Sequence, residues 1–145
     1  MGVVEGAVSA FDEGFSCSQA VLSAFAPELG LDRETALKVA TAFGGGMAHR
    51  GDTCGAVTGA FMAIGLRHGR LRADDKETRD RAYSLVERFV QEFESRHGSI
   101  VCRELLGCDI STPEGMQIAE ENNLPATRCP NFVRDAAEIL EEILS

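Results

Sequence analysis

The chain has 145 residues, 44% of them hydrophobic, and carries a net charge of −9 at pH 7. This length suits one domain, predicted to span residues 1–145, with a core that needs no disulfide staples. The negative charge argues against nucleic-acid binding, because phosphate recognition requires clustered Lys and Arg. No apolar run reaches the roughly 18 residues that a membrane-spanning helix needs. The first residues lack the pattern of a secretory signal, so we expect a cytoplasmic protein.

Apolar residues recur at helical spacing through almost the whole chain, and no segment shows the alternation typical of a strand. The sequence therefore predicts an all-α fold, a compact single-domain bundle of about seven or eight helices. Start and stop signals place the helices at about residues 3–12, 17–27, 33–43, 53–67, 75–97, 100–106, 113–122 and 129–144.

Caps and prolines mark several of these starts. Ser16 and Gln19 form the Ser-x-x-Gln pattern of a capping box at the second helix. Proline favours the first position of a helix, where its missing N–H costs nothing, and Pro113 is placed there in the seventh helix. By the same rule the last helix is predicted to begin at Cys129 and Pro130.

Three consecutive glycines at residues 44–46 precede the fourth helix. They permit backbone angles that other residues resist, so we predict a tight loop whose backbone lies close to another group. Asp52 or Thr53 is the expected N-cap of the helix that follows. Cys54 then lies in the first helical turn, where the helix dipole favours a thiolate over a thiol.

Small residues recur every four positions along the fourth helix, at Gly55, Gly59 and Ala63. One helix face therefore has almost no side-chain bulk, and another backbone or a cofactor can lie against it. On this basis Gly45, Gly55 and Gly59 are candidate cofactor-binding residues. A tightly packed core helix with a buried structural cysteine explains the same pattern equally well.

Four of the five cysteines lie at or within the first turn of a predicted helix, namely Cys17, Cys54, Cys102 and Cys129. Free amides and positive potential at helix N-termini lower thiol pKa values. If these helices converge, the thiolates could hold a thiophilic metal or an iron–sulfur cluster, or could cycle between dithiol and disulfide. Their spacing resembles neither a zinc ribbon nor a ferredoxin. A permanent disulfide framework is not expected, since cytosolic reductants keep thiols reduced.

His49 lies on the glycine loop, five residues before Cys54. It could ligate a metal together with the cysteines, or it could take a proton from a thiol. A loop histidine that simply faces solvent is the commoner situation.

The cysteines and their neighbours, at residues 15–21, 51–59, 98–107 and 129–130, together resemble the C_GCAxxG_C_C family. This is a small family of redox-active proteins from bacteria and archaea, also described by a CGAxxG motif. The resemblance covers almost the whole chain. Thr53 stands where the literal GCAxxG string has glycine, and Cys108 is a fifth cysteine. The Arg-Glu-Leu-Leu-Gly context assigns the third family position to Cys102.

Residues and resemblance together lead to two hypotheses. The first is a redox-active protein whose catalytic or metal-ligating residues are Cys17, Cys54, Cys102 and Cys129, with His49 as a further metal ligand. Its cofactor would be an iron–sulfur cluster or another thiophilic metal, and its partner an electron-transfer protein or a small redox molecule. The second is a non-catalytic helical binding or structural protein with buried core cysteines, whose small-residue face packs helices or forms a homodimer.

Overall fold

The computed structural model describes residues 2–145. Eight α-helices account for most of them, which confirms the predicted all-α fold. The helices are α1 (Val3–Asp12), α2 (Cys17–Phe25), α3 (Arg33–Ala40), α4 (Gly55–His68), α5 (Lys76–His97), α6 (Cys102–Leu106), α7 (Pro113–Glu121) and α8 (Leu124–Leu144). Short 3-10 turns follow α2 at Ala26–Leu29 and α3 at Thr41–Phe43, and a further turn covers Gly44–Met47.

Helix α2 lies at the centre of the fold and packs against α1, α3, α4 and α8. The predicted capping box begins it, with the Ser16 N–H donating to Gln19 Oε1 at 3.1 Å. The Gln19 amide also donates to the Leu37 carbonyl oxygen at 3.0 Å, and the Ser18 hydroxyl donates to the Ala40 carbonyl oxygen at 2.8 Å. These bonds fix the first turn of α2 against α3, so the position of the residue that starts α2 is well defined.

The small-residue face of α4 packs directly on α2. A Cβ on Gly59 would lie 2.9 Å from the Ser18 carbonyl oxygen and 3.2 Å from Val21 Cβ. A Cβ on Gly55 would lie 2.9 Å from the Ser18 backbone nitrogen. The absence of side chains therefore lets two helices of the same chain approach closely, and this buried face is not available for a homodimer.

We predict that Gly59→Ala lowers the free energy of unfolding by about 1–3 kcal/mol, because its methyl group would force α2 and α4 apart. Gly65→Ala is the matched control on the same helix, since a Cβ there meets no atom within 4 Å. That control should gain about 0.5–1 kcal/mol from the higher helix propensity of alanine. Urea unfolding of both variants measures the difference, and equal effects would contradict the packing argument.

An aromatic cluster joins α5 to α8. The rings of Phe89 and Phe93 stack with centroids 5.9 Å apart, and Phe132 lies 6.4 Å from Phe93. His97 packs against this cluster and shares a 2.7 Å hydrogen bond with the Asp135 carboxylate. These contacts anchor the last turns of α5 to α8.

Two helices near the glycine loop begin later than predicted. The N-cap of α4 is Cys54 itself, so the expected caps Asp52 and Thr53 were wrong. The carboxylate of Asp52 instead accepts from Arg50 and Arg103, each at 3.3 Å. Helix α6 begins two residues after its predicted start, because the preceding segment pairs with Thr53 in an isolated antiparallel bridge.

The last helix begins earlier than predicted, at Leu124 rather than Cys129, and Pro130 lies inside it. An interior proline removes one backbone donor, which is why the sequence favoured a start there. Tertiary contacts hold the additional turn, because Arg128 donates to the carbonyl oxygens of the last two residues of α6 at 3.2 and 3.0 Å. Cys129 is consequently not at a helix N-terminus.

Across residues 2–145, every helix is too short or too polar to cross a membrane.

Candidate functional site

Four cysteines from four different elements border one cavity of about 310 Å³. Cys17 opens α2, Cys54 precedes α4, Cys102 opens α6, and Cys129 lies one turn inside α8. The first three are buried and Cys129 is half-buried. The fold therefore brings together the four residues that the sequence singled out, although up to 112 positions separate them along the chain, from Cys17 to Cys129.

The isolated bridge between Thr53 and Val101 places two of these cysteines side by side. The Cys54 N–H donates to the Ile100 carbonyl oxygen at 2.7 Å, and the Cys102 N–H donates to the Asp52 carbonyl oxygen at 2.6 Å. The starts of α4 and α6 are held together by these bonds. Sequence analysis missed this bridge, since one residue pair produces no alternating pattern.

The glycine loop covers the cavity, and Gly46 within this loop packs tightly against Cys102. Gly46 has φ of 65°, and a Cβ there would lie 2.6 Å from Cys102 Cβ and 2.8 Å from the Asp52 backbone nitrogen. Left-handed φ angles continue through Met47, Ala48 and His49. Each non-glycine residue in this region costs about 1–2 kcal/mol, so the surrounding contacts hold a strained loop over the cysteines.

His49 lies exposed at the cavity mouth, folded over Gly45 so closely that a Cβ on that glycine would overlap its ring. Of the candidate cofactor-binding glycines, Gly45 and Gly55 line the cavity. Gly59 lies deeper along α4, in the contact with α2. Cys108 is half-buried and is not among the residues that border the cavity.

Burial, and not the helix dipole, determines the direction in which the thiol pKa values of Cys54 and Cys102 are shifted. It raises the pKa of the Cys54 thiol to about 12, although hydrogen bonds from the backbone of Ala56 and Val57 act in the opposite direction. It also raises the pKa of Cys102 to about 11, against the opposing charge of Arg103. The expectation that a helix N-terminus makes Cys54 a thiolate was wrong, because removing the ion from water costs more than the amides return.

Cys17 and Cys129 behave as a pair. The Cys17 thiol donates a hydrogen bond to the sulfur of Cys129, which lowers the pKa of Cys129. The same interaction, together with burial, raises the pKa of Cys17 well above its ordinary value. The two pKa shifts have opposite directions, and they favour the thiolate on Cys129, the more accessible of the two thiols.

Apart from Ser16, His49 and Glu120, the side chains that complete the cavity wall are apolar. These side chains come from α1, α6, α7, α8 and the segment after α6, and they include Phe11, Leu105, Leu106, Ile110, Met116 and Phe132. Sequence periodicity identifies several of these as helix-core residues, but it does not separate a cavity wall from a filled core. In the described part of the chain, no three Cys, His, Asp or Glu side chains are arranged to hold a metal ion.

We predict that stability falls steeply at alkaline pH. Because the folded pKa values of Cys54 and Cys102 lie at about 12 and 11, the unfolded chain, with thiols near 9, ionises first as the pH rises. The stabilisation is therefore complete below about pH 9 and is lost between about pH 9 and 12. Each thiol contributes a slope of about 1.4 kcal/mol per pH unit while only its unfolded form is ionised.

Denaturant unfolding from pH 8 to 11 in a phosphine reductant measures this slope. Cys54→Ala should flatten the dependence, because the variant has no thiol at that position to ionise on unfolding. Identical slopes for the wild type and Cys54→Ala would contradict the assignment.

Comparison with known proteins gives one family. The family model described as "Putative redox-active protein (C_GCAxxG_C_C)" matches residues 15–143, which include all five cysteines. No curated protein and no solved structure matches the chain.

Proposed function

Because the chain belongs to the C_GCAxxG_C_C family of redox-active proteins, we propose that Cys17 and Cys129 form a dithiol centre that exchanges with disulfide substrates. One observation carries this choice of pair. Cys17 and Cys129 border the same cavity, and their interaction lowers the pKa of the more accessible Cys129 thiol while it raises the pKa of the buried Cys17 thiol. A thiolate is the nucleophile in thiol–disulfide exchange, so the arrangement suits Cys129 to attack first.

The exchange takes two steps. The Cys129 thiolate attacks one sulfur of the substrate, forming a mixed disulfide and releasing the other sulfur as a thiolate that takes up a proton. Cys17 then loses its proton and attacks Cys129 Sγ, which forms the Cys17–Cys129 disulfide and releases the second substrate thiol. The substrate gains two electrons and two protons. The protein supplies both electrons and the Cys17 proton, and solvent supplies the second proton because Cys129 starts as a thiolate. A dithiol reductant of the cytoplasm would restore the reduced pair.

An iron–sulfur cluster or another thiophilic metal is the second candidate. All four cysteines and His49 border the same cavity, and thiolates are the ligands that such metals prefer. This function would require Cys54 and Cys102 to lose their protons, which a bound cation would itself promote by lowering the pKa of a coordinating thiol. The dithiol centre needs only the contact between Cys17 and Cys129, which supports it over the metal centre.

The test is to trap the intermediate. Treated with 2-hydroxyethyl disulfide, Cys17→Ser should accumulate one stoichiometric adduct on Cys129, since the resolving thiol is missing. The wild type should instead form an internal disulfide, and peptide mass spectrometry should map it to Cys17 and Cys129. Cys108→Ser serves as the control and should behave as the wild type.

Two results would overturn the proposal. One is a Cys129→Ser variant that still forms an internal disulfide at the wild-type rate. The other is stoichiometric iron or zinc in protein purified without oxygen, lost in each single variant of Cys17, Cys54, Cys102 and Cys129. The second result would identify a shared metal centre.

A further inference from the structure

The cavity at Cys129 limits the size of what can react there. Its volume of about 310 Å³ lies at the lower end of small-molecule sites, which run from roughly 300 to 1,000 Å³. It continues into an open groove that shares Phe11, Ser16, Gly45, His49 and Pro125 with it. A compact molecule can therefore enter from the groove and reach the sulfurs, while the surface loop of a folded protein does not fit the enclosed part.

The described walls carry no permanently cationic side chain that would pair with a negatively charged ligand. Among the described residues that line the cavity and the groove there is no Lys or Arg, and the charged side chain present is the carboxylate of Glu120. Besides Glu120 and the cysteines, His49 is the ionisable side chain among the described residues that line the cavity. An anionic substrate would have to leave water without a Lys or Arg to pair with, and it would meet this carboxylate.

Two arginines near the site, Arg103 and Arg128, donate hydrogen bonds to groups outside the cavity. Arg103 donates to the Gly51 carbonyl oxygen and to the Asp52 carboxylate, each at 3.3 Å. Arg128 donates to two backbone carbonyl oxygens at the end of α6. Both guanidinium groups stabilise backbone around the site and neither lines the cavity, so they do not offset its acidic mouth.

We infer that the substrate is a compact disulfide with apolar groups and without negative charge. This inference rests on the proposed dithiol function and adds the substrate class to it. The bonds made and broken are those of the two exchange steps above: one substrate S–S bond is reduced to two thiols, and the Cys17–Cys129 disulfide forms. Apolar substituents would contact the side chains of α6, α7 and α8, and the leaving thiol would depart through the groove.

The experiment uses Cys17→Ser, in which the adduct on Cys129 persists. Its rate of formation is followed by intact-mass spectrometry with 2-hydroxyethyl disulfide, which is neutral, and with dithiodiglycolate, which is similar in size and carries two carboxylates. Each rate is divided by the rate of the same reagent with N-acetylcysteine amide, which removes intrinsic reactivity. We expect the neutral reagent to be favoured at least about tenfold after this correction.

Charge reversal at the mouth provides a second readout. Glu120→Lys in the same background should lower the preference for the neutral reagent several-fold, because it replaces a repelling charge with an attracting one. Glu114→Lys is the matched control, since this exposed residue lies on the same helix but does not line the cavity. It should leave the preference unchanged.

The outcomes separate the two proposals. Adducts on Cys129 with a corrected preference near one, or in favour of dithiodiglycolate, would overturn the substrate class and leave the dithiol function standing. No adduct on Cys129 with either reagent would overturn both.

Discussion

Cys129→Ser is expected to lower the alkylation rate of the native protein by iodoacetamide at pH 7 by at least about tenfold in a Cys108→Ser background. With pKa values of about 12 and 11, Cys54 and Cys102 are ionised in only about one molecule in 10⁵ and 10⁴ at this pH. Cys17 is buried, and its pKa is raised well above that of an ordinary thiol. The reactive thiolate of the cavity is therefore Cys129, and the Cys108 background removes the other half-buried thiol.

The pH dependence of the alkylation rate tests whether Cys17 lowers the pKa of Cys129. Because the Cys17 thiol donates to Cys129 and lowers its pKa, the alkylation rate should reach its half-maximal value below the midpoint of an ordinary thiol. Cys17→Ala removes the donor, so the thiolate loses stabilisation and the midpoint should rise by about one pH unit. Cys17→Ser keeps an O–H donor and should shift the midpoint less. Equal midpoints in the wild type and Cys17→Ala would contradict the pairing.

Gly46→Ala should cost about 2–5 kcal/mol of unfolding free energy and disturb the cavity. The new Cβ would be in left-handed backbone and would lie 2.6 Å from Cys102 Cβ and 2.8 Å from the Asp52 backbone nitrogen. Left-handed strain costs about 1–2 kcal/mol and overpacking about 1–3 kcal/mol. Neither neighbour can withdraw freely, because the bridge between Thr53 and Val101 fixes both segments.

Gly98→Ala is the control that measures the cost of left-handed backbone strain without overpacking. Gly98 ends α5 with φ of 84°, and a Cβ there meets no atom within 4 Å. This control should lose only the 1–2 kcal/mol that left-handed strain costs. Urea unfolding in a phosphine reductant compares the two variants. Equal losses would show that the glycine loop does not press on Cys102.

Helix positions could be predicted wherever the evidence was local. The capping box at Ser16 and the proline at Pro113 are read within four residues, and both helices begin where expected. Helix boundaries were predicted wrongly where contacts with a segment far away in the sequence determine where the helix begins. Pro130 signals a helix start by itself, yet contacts between Arg128 and the end of α6 extend α8 by five residues at its beginning. Pairing with Val101 likewise displaced the expected caps of α4.

The candidate site was predictable in its members but not in its chemistry. The repeated placement of cysteines near helix starts singled out Cys17, Cys54, Cys102 and Cys129, and all four border the cavity. The argument from helix dipoles favoured Cys54 as a thiolate, whereas the lowered pKa belongs to Cys129, which lies inside a helix. Glu120 lines the cavity, but nothing in the sequence distinguishes it from the other acidic residues, of which the chain has 23 in all.

The sequence alone determined the helical class, the family and the four cysteines that border the cavity, because periodicity, caps and residue identity are properties of short segments. Only the tertiary structure decided which two cysteines meet, which sulfur keeps the proton and which charges face the cavity. A pKa depends on desolvation and on neighbours within a few ångströms. For Cys129 the decisive neighbour is Cys17, which lies 112 positions earlier in the chain and reaches it only because α2 packs against α8.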